Sequence, residues 1–340
     1  MSAAPRGAAA PASKASPPTR PTPPPLAGEI LKGDPRSLAR GMTLVENGTP
    51  EAEALLDAVY GKKPAAPRVG FTGPPGAGKS TLVAEYARLL RSQGHTVGVI
   101  AVDPTSPFTG GAILGDRVRM GEHATDGKVF IRSMATRGSL GGLAARTAEL
   151  AELLDAWGSE TTLIETVGVG QSELDVAETA DTTIVVLTPE SGDAIQTLKA
   201  GLMEIADVLV LNKADNPGAD QMTAALRSSL AFRPQGGFKP PIVRTIATER
   251  KGIEELHAAI AEHRAWAVRP EQAARLRKER VRSRLRHAVR EGLLDSWAAR
   301  QGLESWIEAA ADQVLAGGVS PYRAARDVIE RMTRHGGNAS

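Results

Sequence analysis

The sequence predicts an α/β protein in which helices cover both faces of a mostly parallel, doubly wound sheet. From residue 68 onward, short apolar runs alternate with segments of helical periodicity. Runs such as 182–187 hold apolar and β-branched residues throughout, which is typical of strands that are buried on both faces. Alternation of strands and helices favours parallel pairing. We therefore expect ligands to bind where the carboxyl ends of the strands meet.

The bounds of the predicted strands and helices in this core are set where the apolar pattern changes its period. The predicted strands are residues 68–72, 97–102, 129–132, 161–165, 182–187, 207–211 and 241–245. The predicted helices are residues 80–93, 141–157, 193–205, 218–230 and 252–263. We assign residues 67–268 to one α/β domain built from these elements.

The residues before this domain divide into a tail and a helical segment. Residues 1–27 are rich in Ala and Pro and carry Arg6, Lys14 and Arg20 as their charges. Proline lacks a backbone N–H and disfavours helix interiors, so we expect a disordered tail. The tail has no apolar stretch of the kind found in secretory signals.

Residues 28–66 are predicted to form an N-terminal helical segment. Asp34 is a candidate cap for the first helix. Two apolar sets support the prediction: Leu31, Leu38, Met42, Leu44 and Val45, and then Leu55, Leu56 and Val59. A short linker, residues 62–67, leads from this segment into the core.

Pro270 separates the core from a predicted C-terminal helical arm, residues 269–340. Apolar residues recur there at roughly helical spacing, with many arginines between them. A helix that binds nucleic acid is one interpretation of that basic run. A solvated face beside an apolar stripe is favoured, because no aromatic residues interleave to stack on bases. We expect Trp297 and Trp306 to pack in a helix–helix or subunit interface.

The composition excludes several classes of protein. The 340 residues have a formal net charge of +2, which gives no reason to expect nucleic acid or an anionic membrane surface as a partner. The lack of cysteine excludes disulfides, thiolate zinc sites and a cysteine nucleophile. No apolar run approaches the ~18 residues that a membrane span requires. We therefore expect a cytoplasmic protein without membrane contact.

Residues 73–80 form a complete G-x-x-x-x-G-K-[ST] phosphate-binding loop between a predicted strand and a predicted helix. Backbone N–H groups at the positive end of that helix would face the phosphates. Lys79 would reach the β- and γ-phosphates, and the Ser80 hydroxyl would ligate Mg²⁺. The predicted phosphate-binding residues are Gly73, Pro74, Pro75, Gly76, Ala77, Gly78, Lys79, Ser80 and Thr81.

A second motif predicts which base the site accepts. Asn212, Lys213 and Asp215 form an N-K-x-D element after a predicted strand. Guanine presents two adjacent donors, N1–H and an exocyclic amine, and the Asp215 carboxylate can accept both. Lys213 would lie over the base or brace the phosphate loop. Ala247 and Thr248 follow the last strand, where backbone N–H groups would bind the guanine O6 atom.

The strand at residues 161–165 ends in Glu165, and Gly168 follows it. In many GTPases this element reads D-x-x-G, with a carboxylate that holds the Mg²⁺ shell and a glycine that senses the γ-phosphate. Val169 stands where Ras-like GTPases have the glutamine that orients the attacking water. Intrinsic hydrolysis should therefore be slow or use another acid.

Two loop acids are candidates for that role. Asp103 follows the strand at 97–102, and Asp116 lies in a glycine-rich segment, residues 110–117. Hard carboxylates suit Mg²⁺, which keeps several waters and takes one or two protein oxygens. We interpret Asp103 as water-orienting or metal-linked and Asp116 as a metal or switch residue. The predicted metal set is Ser80, Asp103, Asp116 and Glu165, and the predicted catalytic set is Lys79, Asp103 and Glu165.

The combination of motifs resembles the MeaB/MMAA/ArgK family of P-loop GTPases. The matching stretches are residues 73–81, 101–120, 137–142, 165–173, 199–207 and 212–215. The first and last are shared with many GTPases, whereas those at 165–173 and 199–207 are far more specific to the family. The resemblance covers roughly residues 30–265.

The resemblance implies a GTPase chaperone of an adenosylcobalamin-dependent acyl-CoA mutase, chiefly methylmalonyl-CoA mutase. Such a chaperone couples GTP binding and hydrolysis, with Mg²⁺, to cofactor loading and to protection or rescue of the mutase. It implies a homodimer with helical extensions at both ends of the core. Residues 189–199 match a mobile partner-sensing loop, although some members have a different Pro-Gly-containing opening there.

Three alternatives remain open. A nickel metallochaperone GTPase belongs to the same branch, but the chain has no Cys and no His-rich tract. A kinase of a transport protein would transfer phosphate stably to that protein, yet nothing marks a site for the acceptor. A non-hydrolysing scaffold would bind GTP without turnover. An ATPase is disfavoured by the guanine motif at 212–215.

Overall fold

The computed structural model describes most of the α/β core, all of the predicted N-terminal helices and parts of the C-terminal arm. The described residues are 25–104, 126–136, 142–166, 172–190, 202–231, 237–275, 278, 282, 286, 303–315, 323–324, 326–328 and 330. None of the helices among them is long and apolar enough to cross a membrane.

Seven strands of the described residues form one sheet in which all pairs are parallel. They are β1 (Arg68–Thr72), β2 (Val97–Pro104), β3 (Val129–Thr136), β4 (Thr161–Glu165), β5 (Thr182–Leu187), β6 (Val208–Asn212) and β7 (Ile242–Thr245). Their order across the sheet is β3-β2-β4-β1-β5-β6-β7. Strands β2, β3 and β4 lie on one side of β1, and the chain then crosses to the other side to form β5, β6 and β7. The carboxyl end of β1 therefore lies at a topological switch point.

Helices precede, connect and follow these strands. They are α1 (Pro25–Leu31), α2 (Pro35–Asn47), α3 (Pro50–Val59), α4 (Lys79–Ser92), α5 (Gly142–Trp157), α6 (Ser172–Thr179), α7 (Met203–Ile205), α8 (Ala219–Leu230), α9 (Ile253–Ala267) and α10 (Leu303–Leu315). The prediction of a doubly wound α/β fold is confirmed.

The two faces of the sheet carry separate apolar layers because successive strand residues point to opposite sides. On β2, Val99 packs in the layer formed with α4 and α9, whereas Ile100 packs in the layer formed with α1–α3 and α5. A third cluster joins β5 and β6 to α8. Burial on both faces explains why the central strands have apolar runs rather than alternation.

The N-terminal helices belong to the same packed body as the sheet. Trp157 at the end of α5 donates from Nε1 to the Gly33 carbonyl oxygen at 2.9 Å. Arg132 on the edge strand β3 donates from Nε to Glu46 Oε1 of α2 at 2.7 Å. Apolar side chains of α1, α2 and α3 share one buried cluster with β2, β3 and α5.

The predicted Asp34 cap is present in the N-terminal segment, which differs from its prediction in two details of helix α1. Asp34 caps α2, where its carboxylate accepts the Ser37 N–H at 2.7 Å. Leu31 lies on the separate helix α1, because the chain leaves helical geometry at Gly33, whose φ is 89°. Helix α1 begins at Pro25, inside the predicted tail, with proline in a first-turn position that does not need its N–H.

The core elements lie close to their predicted positions, with a few differences. Strands β2 and β3 extend beyond their predictions because their ladder continues to Pro104 and Thr136. Helix α6 was not predicted. Of the helix predicted at 193–205, the described residues show the single turn α7.

Candidate functional site

The predicted phosphate loop joins β1 to α4 at the carboxyl edge of the sheet. Gly73 has a φ of 134°, and a Cβ there would lie 2.1 Å from the Val186 carbonyl oxygen. Gly78 has a φ of 87°, and a Cβ there would lie 2.4 Å from Asn212 Nδ2. These two positions therefore accept only glycine, which explains the fixed glycines of the motif.

Lys79 lies in the first turn of α4, and its side chain folds back over the loop. Its Nζ donates to the carbonyl oxygens of Gly73 at 2.8 Å and Pro74 at 3.0 Å. The residue is only 5% exposed. Within the same loop, Pro75 and Gly76 are exposed. Pro74, Gly78 and Thr81 are half-buried, and Gly73 and Ala77 are buried. The ammonium group is thus held inside the curve where an anion would bind.

Ser80 and Glu165 meet next to this loop. The Ser80 hydroxyl donates to Glu165 Oε1 at 2.5 Å, and both residues are buried. Glu165 is the last residue of β4 and pairs in register with Phe71 of β1. Parallel pairing of β1 with β4 therefore brings the predicted metal-binding carboxylate to the hydroxyl that follows Lys79. A hydroxyl and a carboxylate are hard oxygen donors, which fit Mg²⁺.

Of the other two predicted acids, Asp103 and Asp116, the structure describes Asp103. Asp103 lies on β2, just beyond Ala101, the register partner of Glu165. Its backbone therefore lies at the same edge of the sheet as Ser80. Asp116 lies outside the described residues. Among the described residues, no group of three or more His, Cys, Asp or Glu side chains is arranged to hold a metal ion.

Asn212 ties the phosphate loop to the loop after β7. Its Nδ2 donates to the Ala77 carbonyl oxygen at 2.9 Å. Its Oδ1 accepts from Thr245 Oγ1 at 3.0 Å and from the Ala247 N–H at 3.2 Å. The residue is 3% exposed. Asn212 is therefore a brace between two loops that the sequence predicts to hold opposite ends of one nucleotide.

The remaining predicted base-binding residues lie around this brace. Lys213 is half-buried and has a φ of 55°, and Asp215 is exposed in the following turn. Thr248 is exposed in a one-turn 3-10 helix, Ala247–Glu249. Because the Ala247 N–H already has Asn212 as its acceptor, its binding to a guanine O6 atom stays a prediction.

Two residues next to this site, Arg244 and Thr245, escaped the sequence analysis. Thr245, the last residue of β7, donates to Asn212, and its N-terminal neighbour Arg244 donates to Asp220 Oδ1 at 2.6 Å and to the Ala214 carbonyl oxygen at 3.3 Å. These contacts join residues that lie more than twenty positions apart, so no local pattern announces them. The only sequence signal is a Thr at the carboxyl end of a predicted strand, next to the suspected base loop.

Charged side chains lie close together around the turn that is predicted to bind the base. The pKa of Lys251 lies above its ordinary value, chiefly because its ammonium donates to Glu249 and in smaller part because of the nearby Asp215 charge. The Lys251 Nζ to Glu249 Oε2 distance is 2.7 Å. A positive charge therefore accompanies Asp215, the carboxylate predicted to read the base.

A phosphate loop, a hydroxyl–carboxylate pair and a braced N-K-x-D turn thus share one edge of the sheet. The family described as "Methylmalonyl Co-A mutase-associated GTPase MeaB" matches residues 38–302. The chain belongs to the MeaB family. It is 46% identical to a putative GTPase of Pyrococcus abyssi, over 88% of this chain and 94% of that one. The predicted family resemblance is therefore confirmed.

A mouse relative and a solved structure extend the comparison. The chain is 34% identical to a mouse protein called methylmalonic aciduria type A homolog, mitochondrial, over 90% of this chain and 79% of that one. A crystal structure described as LAO/AO transport system kinase has a TM-score of 0.67 at 29% identity, covering 91% of this chain and 96% of that one. The solved structure confirms the fold of the core, and the family description and the Pyrococcus relative identify the chain as a GTPase.

Proposed function

We propose that this chain is a GTP-switched chaperone of an adenosylcobalamin-dependent acyl-CoA mutase, with methylmalonyl-CoA mutase as the first candidate. The observation that carries the proposal is the match of residues 38–302 to a family described as associated with that mutase. The name of the mouse relative supports the same client. In this function the chaperone gates cofactor loading and protects or reactivates the mutase.

The phosphate loop would bind the triphosphate through its backbone N–H groups and Lys79. In the structure the Lys79 ammonium donates to the carbonyl oxygens of Gly73 and Pro74. Phosphate oxygens are stronger acceptors than neutral carbonyls for a charged donor. We therefore expect Lys79 to turn from these carbonyls to the β- and γ-phosphates when GTP binds.

Base selection would rest on Asp215, with Asn212 fixing where the surrounding loops lie. Asn212 joins the loop at Ala77 to the loop at Ala247, so the distance between phosphate and base subsites is held by one buried side chain. Lys213 would cover the base. Preorganisation of this kind reduces the ordering that binding requires.

Ser80 and Glu165 would hold Mg²⁺, with Asp103 and Asp116 as further members of the set. When bound, Mg²⁺ neutralises charge that develops on the transferred phosphoryl group. The Ser80 hydroxyl would then rotate so that its oxygen faces the metal instead of donating to Glu165. Asp103 or Glu165 would orient the attacking water, because Val169 stands at the position of the Ras-like glutamine.

The site also has a direct connection to the segment predicted to sense the partner. Asn216, which follows Asp215, donates from Nδ2 to Glu190 Oε1 at 2.7 Å. Glu190 is the second residue of the predicted partner-sensing loop, 189–199, and residues 191–199 of that loop lie outside the described residues. Through this contact, occupancy of the base site would bias the position of that loop, as in other nucleotide switches. We further propose a cytoplasmic homodimer that uses the arm at 269–340.

The client is tested by capture from native extract on the immobilised full chain, with a non-hydrolysable GTP analogue or with GDP. We expect a cobalamin-dependent acyl-CoA mutase to be enriched with the analogue. Lys79→Ala should abolish the enrichment, whereas Lys32→Ala should not, since Lys32 lies on the surface in an ion pair with Glu29. Enrichment of a nickel enzyme, or no dependence on nucleotide, would overturn the proposal.

One relative's description calls for a separate test, because it names a transport-system kinase. The full chain is incubated with GTP labelled at the γ-phosphate, together with membrane and soluble fractions of the extract. A GTPase releases the label as inorganic phosphate. Stable label on a transport protein would favour the kinase alternative instead.

A further inference from the structure

Two threonines connect the ends of the strands that carry the phosphate loop and Glu165. Thr72 is the last residue of β1 and directly precedes Gly73, and Thr166 directly follows Glu165 at the end of β4. The Thr166 hydroxyl donates to Thr72 Oγ1 at 3.2 Å. Both threonines are buried. A hydrogen bond between two hydroxyls therefore connects two segments from which the candidate site is built.

The backbone of Thr166 adds a second connection between the same strand ends. Its N–H donates to the Phe71 carbonyl oxygen at 3.1 Å. The Thr166 hydroxyl is 3.4 Å from the same carbonyl oxygen, which makes Phe71 a weaker acceptor for it than Thr72. Glu165 is the last residue of β4 in register with its neighbours, Phe71 of β1 and Ala101 of β2. Thr166 therefore holds the chain immediately after the Glu165 carboxylate.

The threonine pair and the Ser80–Glu165 pair lie on opposite faces of the sheet. Successive residues of a strand point to opposite faces. Phe71 packs in the layer with α4, the helix that carries Ser80, so Thr72 points away from that layer. The face of β1 to which Thr72 points is covered by α6. The two hydroxyls therefore influence the Glu165 carboxylate through the backbone.

The position of Glu165 matters because its carboxylate lies only 2.5 Å from the Ser80 hydroxyl oxygen. Groups that take part in a reaction must be held within about 0.5 Å of their productive positions. A misplacement of about 1 Å can lower a rate about 100-fold. The strand ladder fixes the backbone up to Glu165, and the contacts of Thr166 fix it on the other side.

We propose that Thr166, with Thr72 as its partner, is a positioning residue for GTP hydrolysis. Its hydroxyl fixes the end of β4 against the end of β1 and so holds the Glu165 carboxylate beside Ser80. This role rests on the proposed function of Glu165 in holding Mg²⁺, and it does not depend on the mutase client. Neither threonine belongs to the phosphate-binding, base-binding or metal sets that the motifs predict.

Valine substitutions in the full chain test the hydroxyls alone, because valine has nearly the shape of threonine. Thr166→Val removes the donor, Thr72→Val removes the acceptor, and Thr166→Ser keeps a hydroxyl. Thr162→Val is the matched control on β4. Thr162 is buried, lies an even number of residues before Thr166 and so points to the same face, and its hydroxyl has no hydrogen-bond partner among the described residues.

Two measurements separate positioning from a general loss of structure. One is single-turnover hydrolysis at saturating GTP and Mg²⁺. The other is the calorimetric affinity for a non-hydrolysable GTP analogue, with Mg²⁺ and again with EDTA. Binding in EDTA reports on the fold and the phosphate loop, whereas the gain in affinity with Mg²⁺ reports on the oxygens that hold the metal.

Thr166→Val should slow hydrolysis about tenfold or more and reduce the gain in affinity with Mg²⁺ about fivefold or more. Its affinity in EDTA should equal that of the parent chain. Thr72→Val should act in the same direction by about threefold, because Thr166 can still donate to Phe71. Thr166→Ser should stay within about threefold of the parent chain, and Thr162→Val should match the parent chain.

A Glu165→Gln variant separates the failure of this role from the failure of the proposed metal site. The positioning role is overturned if Thr166→Val and Thr72→Val behave like the parent chain while Glu165→Gln is impaired. It is also overturned if Thr166→Ser is as slow as Thr166→Val, if affinity in EDTA falls as much as affinity with Mg²⁺, or if Thr162→Val shows the same loss. If Glu165→Gln keeps parental hydrolysis and metal dependence, the proposed role of Glu165 fails, and the positioning role fails with it.

Discussion

Asn212 shows how one buried side chain can set the geometry of a whole binding site. It was predicted from the N-K-x-D motif as a nucleotide-binding residue, and the structure makes it the connection between two loops. Each of its three hydrogen bonds joins it to a residue that lies far away in the sequence. Its identity was therefore predictable from sequence, but its role as a brace was not.

Asn212→Ala should destabilise the fold and weaken GTP binding together. The substitution leaves the Ala77 carbonyl oxygen, the Thr245 hydroxyl and the Ala247 N–H without their partner. At about 1 kcal/mol per hydrogen bond, we expect a loss of about 2–4 kcal/mol in the free energy of unfolding. Urea-induced unfolding and a nucleotide titration measure the two effects.

Asn216→Ala is the matched control for this prediction. Its amide makes a single exposed contact with Glu190. Surface substitutions of this kind usually change stability by less than about 0.5 kcal/mol. Equal losses for the two variants would argue against Asn212 as a brace.

Asp215→Asn should change which base the site prefers. Asp215 is exposed in the turn after β6, so the substitution leaves no buried group without a partner. The amide presents a donor where guanine also presents a donor, whereas xanthine presents an acceptor there. We expect the ratio of GTP to xanthosine triphosphate affinity to fall by about tenfold or more in a competition assay. A preserved preference for GTP would remove Asp215 from base recognition.

At the scale of elements, the N-terminal helices are part of the GTPase body. Ile30, Met42 and Leu55 are fully buried and share a cluster with β2, β3 and α5. The sequence predicted helices here from their apolar spacing. It did not predict that they cover the face of the sheet behind β2, because helical periodicity shows which side is buried but not against what.

Leu55→Ala should therefore destabilise the whole body and not the N-terminal segment alone. Removing a fully buried leucine side chain typically costs about 2–5 kcal/mol. Tyr60→Ala, at a position that is 66% exposed, should have little effect. Urea-induced unfolding followed by far-UV circular dichroism should show one transition shifted to lower urea. A separate early transition, with the core transition unmoved, would mean that the helices fold independently of the sheet.

Element boundaries show where sequence reasoning succeeds and fails. The central strands β1, β4 and β5 lie at their predicted positions because their apolar runs are bounded by polar or turn residues. Helix α6 was missed because its eight residues, Ser172–Thr179, carry too few turns for an apolar stripe to stand out. Short helices of this kind are fixed by their neighbours; a Cβ on Gly70 of β1 would lie only 2.9 Å from Ala180 just after α6.

At the scale of the whole molecule, the candidate functional site and a separate cavity lie at opposite ends of the parallel strands. The carboxyl edge joins the phosphate loop, Glu165 and Asn212, as the strand order predicts. The amino edge holds a cavity of about 350 Å³ that is lined in part by Arg68 and Asp155, and no sequence motif predicted it. Which strand ends come into contact depends on the register of the sheet. The surroundings of a buried arginine at the start of a strand are therefore known only from the folded chain.

The most direct test of a GTP-switched chaperone is the affinity of the full chain for purified adenosylcobalamin-dependent methylmalonyl-CoA mutase. Calorimetry measures it with a saturating non-hydrolysable GTP analogue and again with GDP. A switch requires different affinities in the two states, and typical couplings are about 1–3 kcal/mol. We expect the dissociation constants to differ by about tenfold or more. Equal affinities, or no binding in either state, would contradict the proposed function.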